Sequence, residues 1–415
     1  MKVGVPTPGR PRFAALPPLS LYVHIPWCVR KCPYCDFNSH EARGDLPEDA
    51  YVEALFADLE SALPAIWGRK VATVFIGGGT PSLFSAPAID RLLAGIRARV
   101  PLSPDAEITL EANPGTYERE RFGGFKAAGV NRLSLGVQSF DAAHLRALGR
   151  IHDAREARAA IDAALAIFGN VNLDLMYALP GQTLAQARAD VAAALDYRPP
   201  HLSFYHLTLE PNTLFHRHPP PLPDDDAAAD IEDAVHAALT GAGYRQYETS
   251  AFAQPGRECR HNLNYWQFGD YLGIGAGAHS KLSLPDRVFR QVRWKQPKQY
   301  LEQVGRGLPL QEESTVTRDD IGFEFMLNAL RLTEGVSASS FAERTGYPLT
   351  IVERELGEAV NRGLIDANPA TIRPTALGRR FLNDLQALFL RDVGREAVTT
   401  PMVRREPTVP AERRN

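Results

Sequence analysis

The sequence predicts an α/β protein in which parallel strands are covered by crossover helices and close into a barrel or part of one. Two observations carry that expectation. Short β-rich runs recur at residues 21–25 (LYVHI), 71–76 (VATVFI), 107–110 (EITL), 132–137 (RLSLGV), 171–176 (VNLDLM) and 201–207 (HLSFYHL). Between them lie Ala-, Leu- and Arg-rich segments such as EDAYVEALFADLESAL and TLAQARADVAAALDY. Their apolar residues recur three or four apart, as on one face of a helix. Antiparallel neighbours need only a tight turn between them, whereas parallel ones need a crossover of this kind. In such a barrel, functional groups stand at the carboxyl ends of the strands.

Composition bounds what surrounds this core. The chain has 415 residues, 44% hydrophobic and 23% charged, which is ordinary globular make-up and enough for two or three domains. A net charge of -3 gives no global positive field for nucleic acid. No apolar run approaches the roughly 18 to 20 residues of a membrane-spanning helix. Residues 1–20 hold five prolines and no continuous apolar segment of a secretory signal, so a flexible leader on a cytoplasmic protein is expected.

After Pro219 the run HPPPLPDDD makes a connector, followed by a mixed region over 221–316 that contains ECRHNLNYW and GDYLGIGAGAHSKL. Residues 317–390 have the helices and short wing of a winged-helix-like unit. Residues 318–390 carry eight arginines and no lysine against ten acidic residues, a poor footprint for phosphate, and a packing or substrate-covering role is expected instead. The polar stretch 391–415 is expected to be a disordered tail.

Cys28, Cys32 and Cys35 fall within eight positions, directly after the first strand run, and Cys259 lies more than two hundred residues away. No even-numbered local set exists for a disulfide framework, so metal binding or catalysis is the expectation. Three soft thiolates at C-x3-C-x2-C spacing select an iron–sulfur cluster, zinc or copper(I). A cubane [4Fe-4S] cluster has four irons to ligate, so three cysteines leave one iron open to an exogenous ligand. Structural zinc is the competing reading, and needs Cys259 or His24 to complete its four ligands.

Other polar groups gather at strand ends. FIGGGTPS puts Gly77, Gly78 and Gly79 after the second run, where backbone can approach a ligand without side-chain obstruction. Glu111, Gln138, Arg150 and Asp174 follow at or just past later runs. A buried, unpaired carboxylate inside VNLDLM costs several kcal/mol, so Asp174 requires a partner, and ribose hydroxyls would serve.

YVHIPWCxxxCxxCDF, GGGTPS, LEANP, GVQSF and LPGQ together resemble the radical S-adenosylmethionine superfamily, and within it the coproporphyrinogen III dehydrogenase and HemW group, from residue 21 to about residue 390. The resemblance implies a partial (β/α)6 radical SAM barrel over 21–220 with a C-terminal mixed region and a winged-helix-like helical domain. It implies a [4Fe-4S] cluster on Cys28, Cys32 and Cys35, with the amino and carboxylate groups of S-adenosylmethionine on the open iron. Tyr22, Gly78, Gly79, Thr80, Glu111, Gln138, Arg150 and Asp174 become S-adenosylmethionine contacts by the same resemblance.

Two features separate the branches of this group. The oxygen-independent coproporphyrinogen oxidase has a further cysteine two positions after the third, where this chain has Phe37. HemW-like proteins carry H-N-x-x-Y-W, which stands here as His261, Asn262, Tyr265 and Trp266. That motif implies heme contact. Neutral imidazole can ligate heme iron, and Tyr and Trp offer flat faces to a macrocycle. A capped turn with Trp266 in the core is the alternative, and Cys259 and His279 are nearby candidates for the iron.

Three functions follow as expectations. The first is a heme-binding chaperone that delivers heme to respiratory or other heme proteins, with an electron donor for the cluster as a further partner and peripheral membrane contact left open. The second is coproporphyrinogen III oxidation, and the third a structural zinc or redox protein. Whether the scaffold acts as an enzyme is not decided by its residues.

Overall fold

The computed structural model describes residues 10–390. Each expected strand run forms, as β1 (Leu19–Ile25), β2 (Val71–Gly78), β3 (Leu102–Ala112), β4 (Arg132–Gln138), β5 (Val171–Tyr177) and β6 (His201–His206). All five neighbouring pairs in this series are parallel. Strand period two sorts the residues. Leu19, Leu21, Val23 and Ile25 of β1 join the main apolar core, while Ser20, Tyr22 and His24 face inward beside Thr73, Phe75 and Gly77 of β2.

The crossovers are α1 (Glu48–Ile66), α2 (Ala86–Arg99), α3 (Thr116–Ala128), α4 (Ala154–Ile167) and α5 (Leu184–Asp196). Their ends are written locally. Asp153 with Glu156 and Thr183 with Gln186 form capping boxes on α4 and α5, so orphan amides at each start find acceptors. Gly129, at φ 107, ends α3 in the left-handed conformation that favours glycine.

The mixed region extends the sheet at both edges. After α6 (Asp225–Gly241), β7 (Arg245–Glu248) and β8 (Ala251–Ala253) add antiparallel strands beyond β6. The chain then returns through α7 (Arg260–Trp266) to β9 (Asp270–Ile274), which lies parallel on the other side of β1. β10 (His279–Leu284), β11 (Arg287–Arg293), α8 (Pro297–Val304) and β12 (Leu310–Thr315) complete it. Among the described residues twelve strands form one sheet, ordered β12-β11-β10-β9-β1-β2-β3-β4-β5-β6-β8-β7.

Residues 317–390 follow the winged-helix pattern of short helices and a two-stranded ribbon, Val336–Ser337 against Thr371–Ile372. Their core is continuous with the sheet extension, because Phe268 and Val288 belong to it and Trp266 packs against it. The loose leader is corrected from residue 10 onward. Arg12 N–H donates to the Gly346 carbonyl at 2.8 Å, Phe13 packs against the C-terminal core, and the Pro17 carbonyl accepts from Arg69. Apolar Phe13 gives this segment something to bury, which its prolines concealed. The expected tail lies outside the described residues.

Two buried carboxylates lock the extension to the barrel. Asp58 of α1 accepts from Gly275 N–H, Arg293 Nε and Tyr300 Oη. Asp270, at the start of β9, pairs with Arg69 at 2.9 Å and Lys281 at 3.0 Å and accepts from Ser283. Asp270→Ala would leave Lys281 buried without a counter-charge, so a loss of about 3–5 kcal/mol is expected. A lowered denaturant midpoint in urea unfolding checks it.

Candidate cofactor site at the mouth of the barrel

The loop after β1 is built to hold its three thiols at one end of the sheet. Residues Trp27–Cys28 pair with His40–Glu41, and Cys35 N–H donates to the Cys32 carbonyl. Asn38 Nδ2 reaches across to the carbonyls of Ala276 and Lys295, tying the loop to the sheet extension at 2.9 Å each. All three cysteines are partly buried and line one cavity of about 420 Å³.

The glycine run supports this loop from beneath, in addition to lining the cavity. Gly79 N–H donates to the Ile25 carbonyl and Thr80 N–H to that of Trp27. A Cβ on Gly79 would stand 2.5 Å from the Trp27 oxygen. One on Gly78, at φ 121, would stand 2.8 Å from the Ile25 oxygen. Gly78 N–H in turn donates to Glu111 Oε2 at 3.0 Å.

Residues from successive strand ends complete the cavity: Gly78, Gly79, Thr80, Glu111, Gln138, Arg150 and Asp174 all line it with the cysteines. Of the expected S-adenosylmethionine contacts only Tyr22 does not. It lines an adjoining cavity, with its hydroxyl on His24 Nδ1 at 2.9 Å. Arg150 comes from the turn after a short helix rather than from a strand end. Its guanidinium lies 3.6 Å from Cys32 Sγ and donates to Asn113 Oδ1 and the Gly136 carbonyl.

Asp174 has the partners that its burial requires within the chain, in Ser134 Oγ and Asn172 Nδ2 at 2.8 Å each. Burial still raises its pKa, against these donors and Arg132. Burial, then the Asp174 carboxylate, push Glu111 up to about 8, against the Gly78 N–H. Two desolvated carboxyl groups beside an open cavity suit a ligand carrying positive charge.

Sequence reasoning missed several members. Asn113 sits in the LEANP motif and links Arg150 to Thr80 Oγ1, at 2.9 Å from the latter. Tyr34, inside CPYC, lines the cavity near Cys32. Arg132 is buried below Asp174, and its place at the head of RLSLGV, in step with Ser134 and Gly136, was the available signal.

The fourth cysteine is not among the residues that line the cavity of the first three. Cys259 Sγ lies 3.7 Å from Glu107 Oε1, deep in the interior, and burial pushes its thiol up to about 12. His24 has both ring nitrogens engaged, with Tyr22 and the Asn38 carbonyl. Neither completes a four-ligand zinc set as the chain is folded, so the donor set fits a cluster held by three thiolates. Burial raises the Cys28 and Cys35 pKa values, so a metal bound there displaces their protons.

HNLNYW does not form one open surface. His261 is 1% exposed, with Nδ1 on Thr73 Oγ1 at 2.7 Å and Nε2 on the Tyr265 hydroxyl at 3.2 Å. Burial, then Arg132, lower its pKa to about 3. Trp266 turns toward the C-terminal core, where the Arg331 guanidinium lies 4.3 Å from its ring. Of the four residues expected to contact heme, His261 thus lies in the interior between Thr73 and Tyr265, and Trp266 packs against the C-terminal core. Tyr265 alone of the four lines a cavity described here.

The radical SAM superfamily matches residues 22–193 and the HemN C-terminal domain matches residues 316–381. A protein of Escherichia coli (strain K12) named heme chaperone HemW is 50% identical to the chain over 379 residues, 91% of this chain and 99% of the relative. The chain belongs to the HemW family. A member from Bacillus subtilis (strain 168), also named heme chaperone HemW, is 35% identical over 90% of this chain and 100% of its own length. Among solved structures, coproporphyrinogen III oxidase (HemN) from Escherichia coli, described as a radical SAM enzyme, superposes with a TM-score of 0.77 at 28% identity, covering 90% of each chain. The fold is therefore the partial radical SAM barrel that the resemblance implied, and the strand pattern had indicated a barrel or part of one.

Two measurements probe the site. Gly79→Ala forces its Cβ onto the Trp27 carbonyl, so iron and sulfide content after anaerobic reconstitution should fall while far-ultraviolet circular dichroism is retained. In ligand-free protein the raised pKa of Glu111 contributes stability that is fully present below its ordinary 4.5 and is lost as pH rises through about 8. Glu111→Gln should accordingly flatten the melting temperature between about pH 5 and pH 8.

Proposed function

We propose that this chain is a heme chaperone that works on a radical SAM scaffold, handing heme to recipient heme proteins. One observation carries the reading: half its residues are identical to those of a protein named heme chaperone HemW over nearly the whole of both chains. Phe37, where the oxidase branch has a further cysteine, supports the same side.

On this reading Cys28, Cys32 and Cys35 would hold a [4Fe-4S] cluster and leave one iron free for S-adenosylmethionine. The pair, when bound, supplies one-electron chemistry on the sulfonium. The protein's part is positional. Glu111 and Asp174 offer carboxylates to cationic and hydroxyl groups of the ligand, and Arg150 sets positive charge beside Cys32 Sγ, moderating the negative charge that thiolates bring. Gln138 and Thr80 add hydrogen-bonding groups along the same cavity. An electron donor is a required partner, and an oxygen-sensitive cluster with unpaired cysteines suits the cytoplasm. No helix among the described residues is long and apolar enough to cross a membrane.

Anaerobic reconstitution tests the reading. Four irons and four sulfides per chain, an electron paramagnetic resonance spectrum of the reduced cluster that changes on adding S-adenosylmethionine, and one bound heme are expected. Conversion of coproporphyrinogen III to protoporphyrinogen under reducing conditions would instead put the chain with the oxidases, and zinc without iron would remove the cluster from the argument.

A further inference from the structure

Asn113 lies just past the end of β3 and lines the cluster cavity. Its amide joins two residues that stand beside different cysteines of the loop. Nδ2 is 2.9 Å from Thr80 Oγ1, and Oδ1 is 2.5 Å from Arg150 Nη2. Chemistry fixes which way the amide points. A guanidinium has donors only, so the amide oxygen faces Arg150 and the nitrogen is left to face Thr80.

Each neighbour carries that orientation on to a sulfur. A threonine hydroxyl that accepts from an amide N–H keeps its own proton to give. Thr80 N–H donates to the Trp27 carbonyl at 2.7 Å, which seats the residue beside Cys28. Burial raises the Cys28 pKa, and the Thr80 hydroxyl lowers it by favouring the thiolate. On the other side Arg150 Nη1 lies 3.6 Å from Cys32 Sγ. Its Nη2 has the Asn113 oxygen and the Gly136 carbonyl as acceptors, and its Nε is buried without a partner. Asn113 therefore supplies one of the two oxygens that hold Nη2 in place. A Cβ on Gly136 would come within 3.3 Å of Asn113 Oδ1 and 3.4 Å of Arg150 Nη2, so a glycine there keeps the pair uncrowded.

Donors on cysteine sulfur matter because reduction adds negative charge to a cluster that its thiolates already make negative, and hydrogen bonds to the sulfurs favour the more negative form. We propose that Asn113 is a positioning residue for the cluster, aiming the Thr80 hydroxyl at Cys28 and the Arg150 guanidinium at Cys32, and so raising the potential at which the cluster takes its electron. The assignment rests on the radical SAM reading of the site. It adds a residue outside the cysteine loop that sets how readily the site is reduced.

The test is an anaerobic redox titration of the reconstituted full chain with dithionite and mediator dyes, followed by electron paramagnetic resonance. Asn113→Leu, close in size, and Asn113→Ala should each weaken the cluster's hold on its electron by about tenfold, a fall of about 59 mV for one electron. Iron and sulfide per chain should stay at the wild-type level, since the three cysteines are untouched. Thr80→Val should lower the potential as well. In that background Asn113→Leu should shift it less than in wild type, because one of its two arms is already gone. An unchanged or raised potential in a loaded Asn113 variant overturns the assignment, and so does full additivity of the two substitutions. Loss of iron from both Asn113 variants makes the residue a structural one and overturns it too. Each of these results leaves the radical SAM reading standing, whereas failure of wild type to load a cluster overturns both.

Discussion

Two main chains meet at the mouth of this sheet more closely than any side chain would allow, and the rest of the site is arranged around that meeting. Gly78 and Gly79 let β2 end against the carbonyls of Ile25 and Trp27, so the cysteine loop lies flat over the strand ends instead of standing off them. From there the other groups are in reach. Glu111 takes the Gly78 amide, Asn113 takes Thr80, and Arg150 bridges Asn113 to Cys32. Bulk at either glycine would be felt across the whole set, because protein interiors transmit displacement rather than absorb it.

Much of this was legible in the sequence because it is local. Strand runs read from their β-rich composition, helices from apolar residues three or four apart, and the three-thiol loop from spacing alone. Gly78, Glu111, Gln138 and Asp174 could be placed at a common end because parallel strands all point the same way. What escaped was non-local. Nothing in ECRHNLNYW says that His261 will share a hydrogen bond with Thr73 rather than with solvent, since that follows from β9 adding to β1 and drawing α7 into the interior. Asn38 likewise reads as a polar loop residue, and its partners stand more than two hundred residues away. The segment from residue 10 read as loose because of its prolines and the lack of a continuous apolar run, while Phe13 and backbone hydrogen bonds at Arg12 and Pro17 anchor it.

The interior of the barrel departs from the packed apolar layers common in closed (β/α)8 folds. Glu107, Arg132, Asn172, His201, Cys259 and His261 are all buried there, held by reciprocal hydrogen bonds and charge. Glu107 accepts the His261 amide at the start of α7, where a helix has unsatisfied donors, so the plug is oriented by the same carboxylate that neighbours Arg132. Such polar interiors are costly when half-satisfied, which explains why α7 and its flanking strands fit as a unit.

The placing of β1 has a consequence for how the molecule can be divided. It carries the start of the superfamily's signature region, yet it is an internal strand, bonded to β2 on one side and to β9, some two hundred and fifty residues later, on the other. A fragment cut at the signature's limits would bare a hydrogen-bonding edge and leave Arg69 and Asp58 facing absent partners. The catalytic-looking half of the sequence is thus not an autonomous module onto which a later segment was appended. It inherits its cohesion from the far end of the chain.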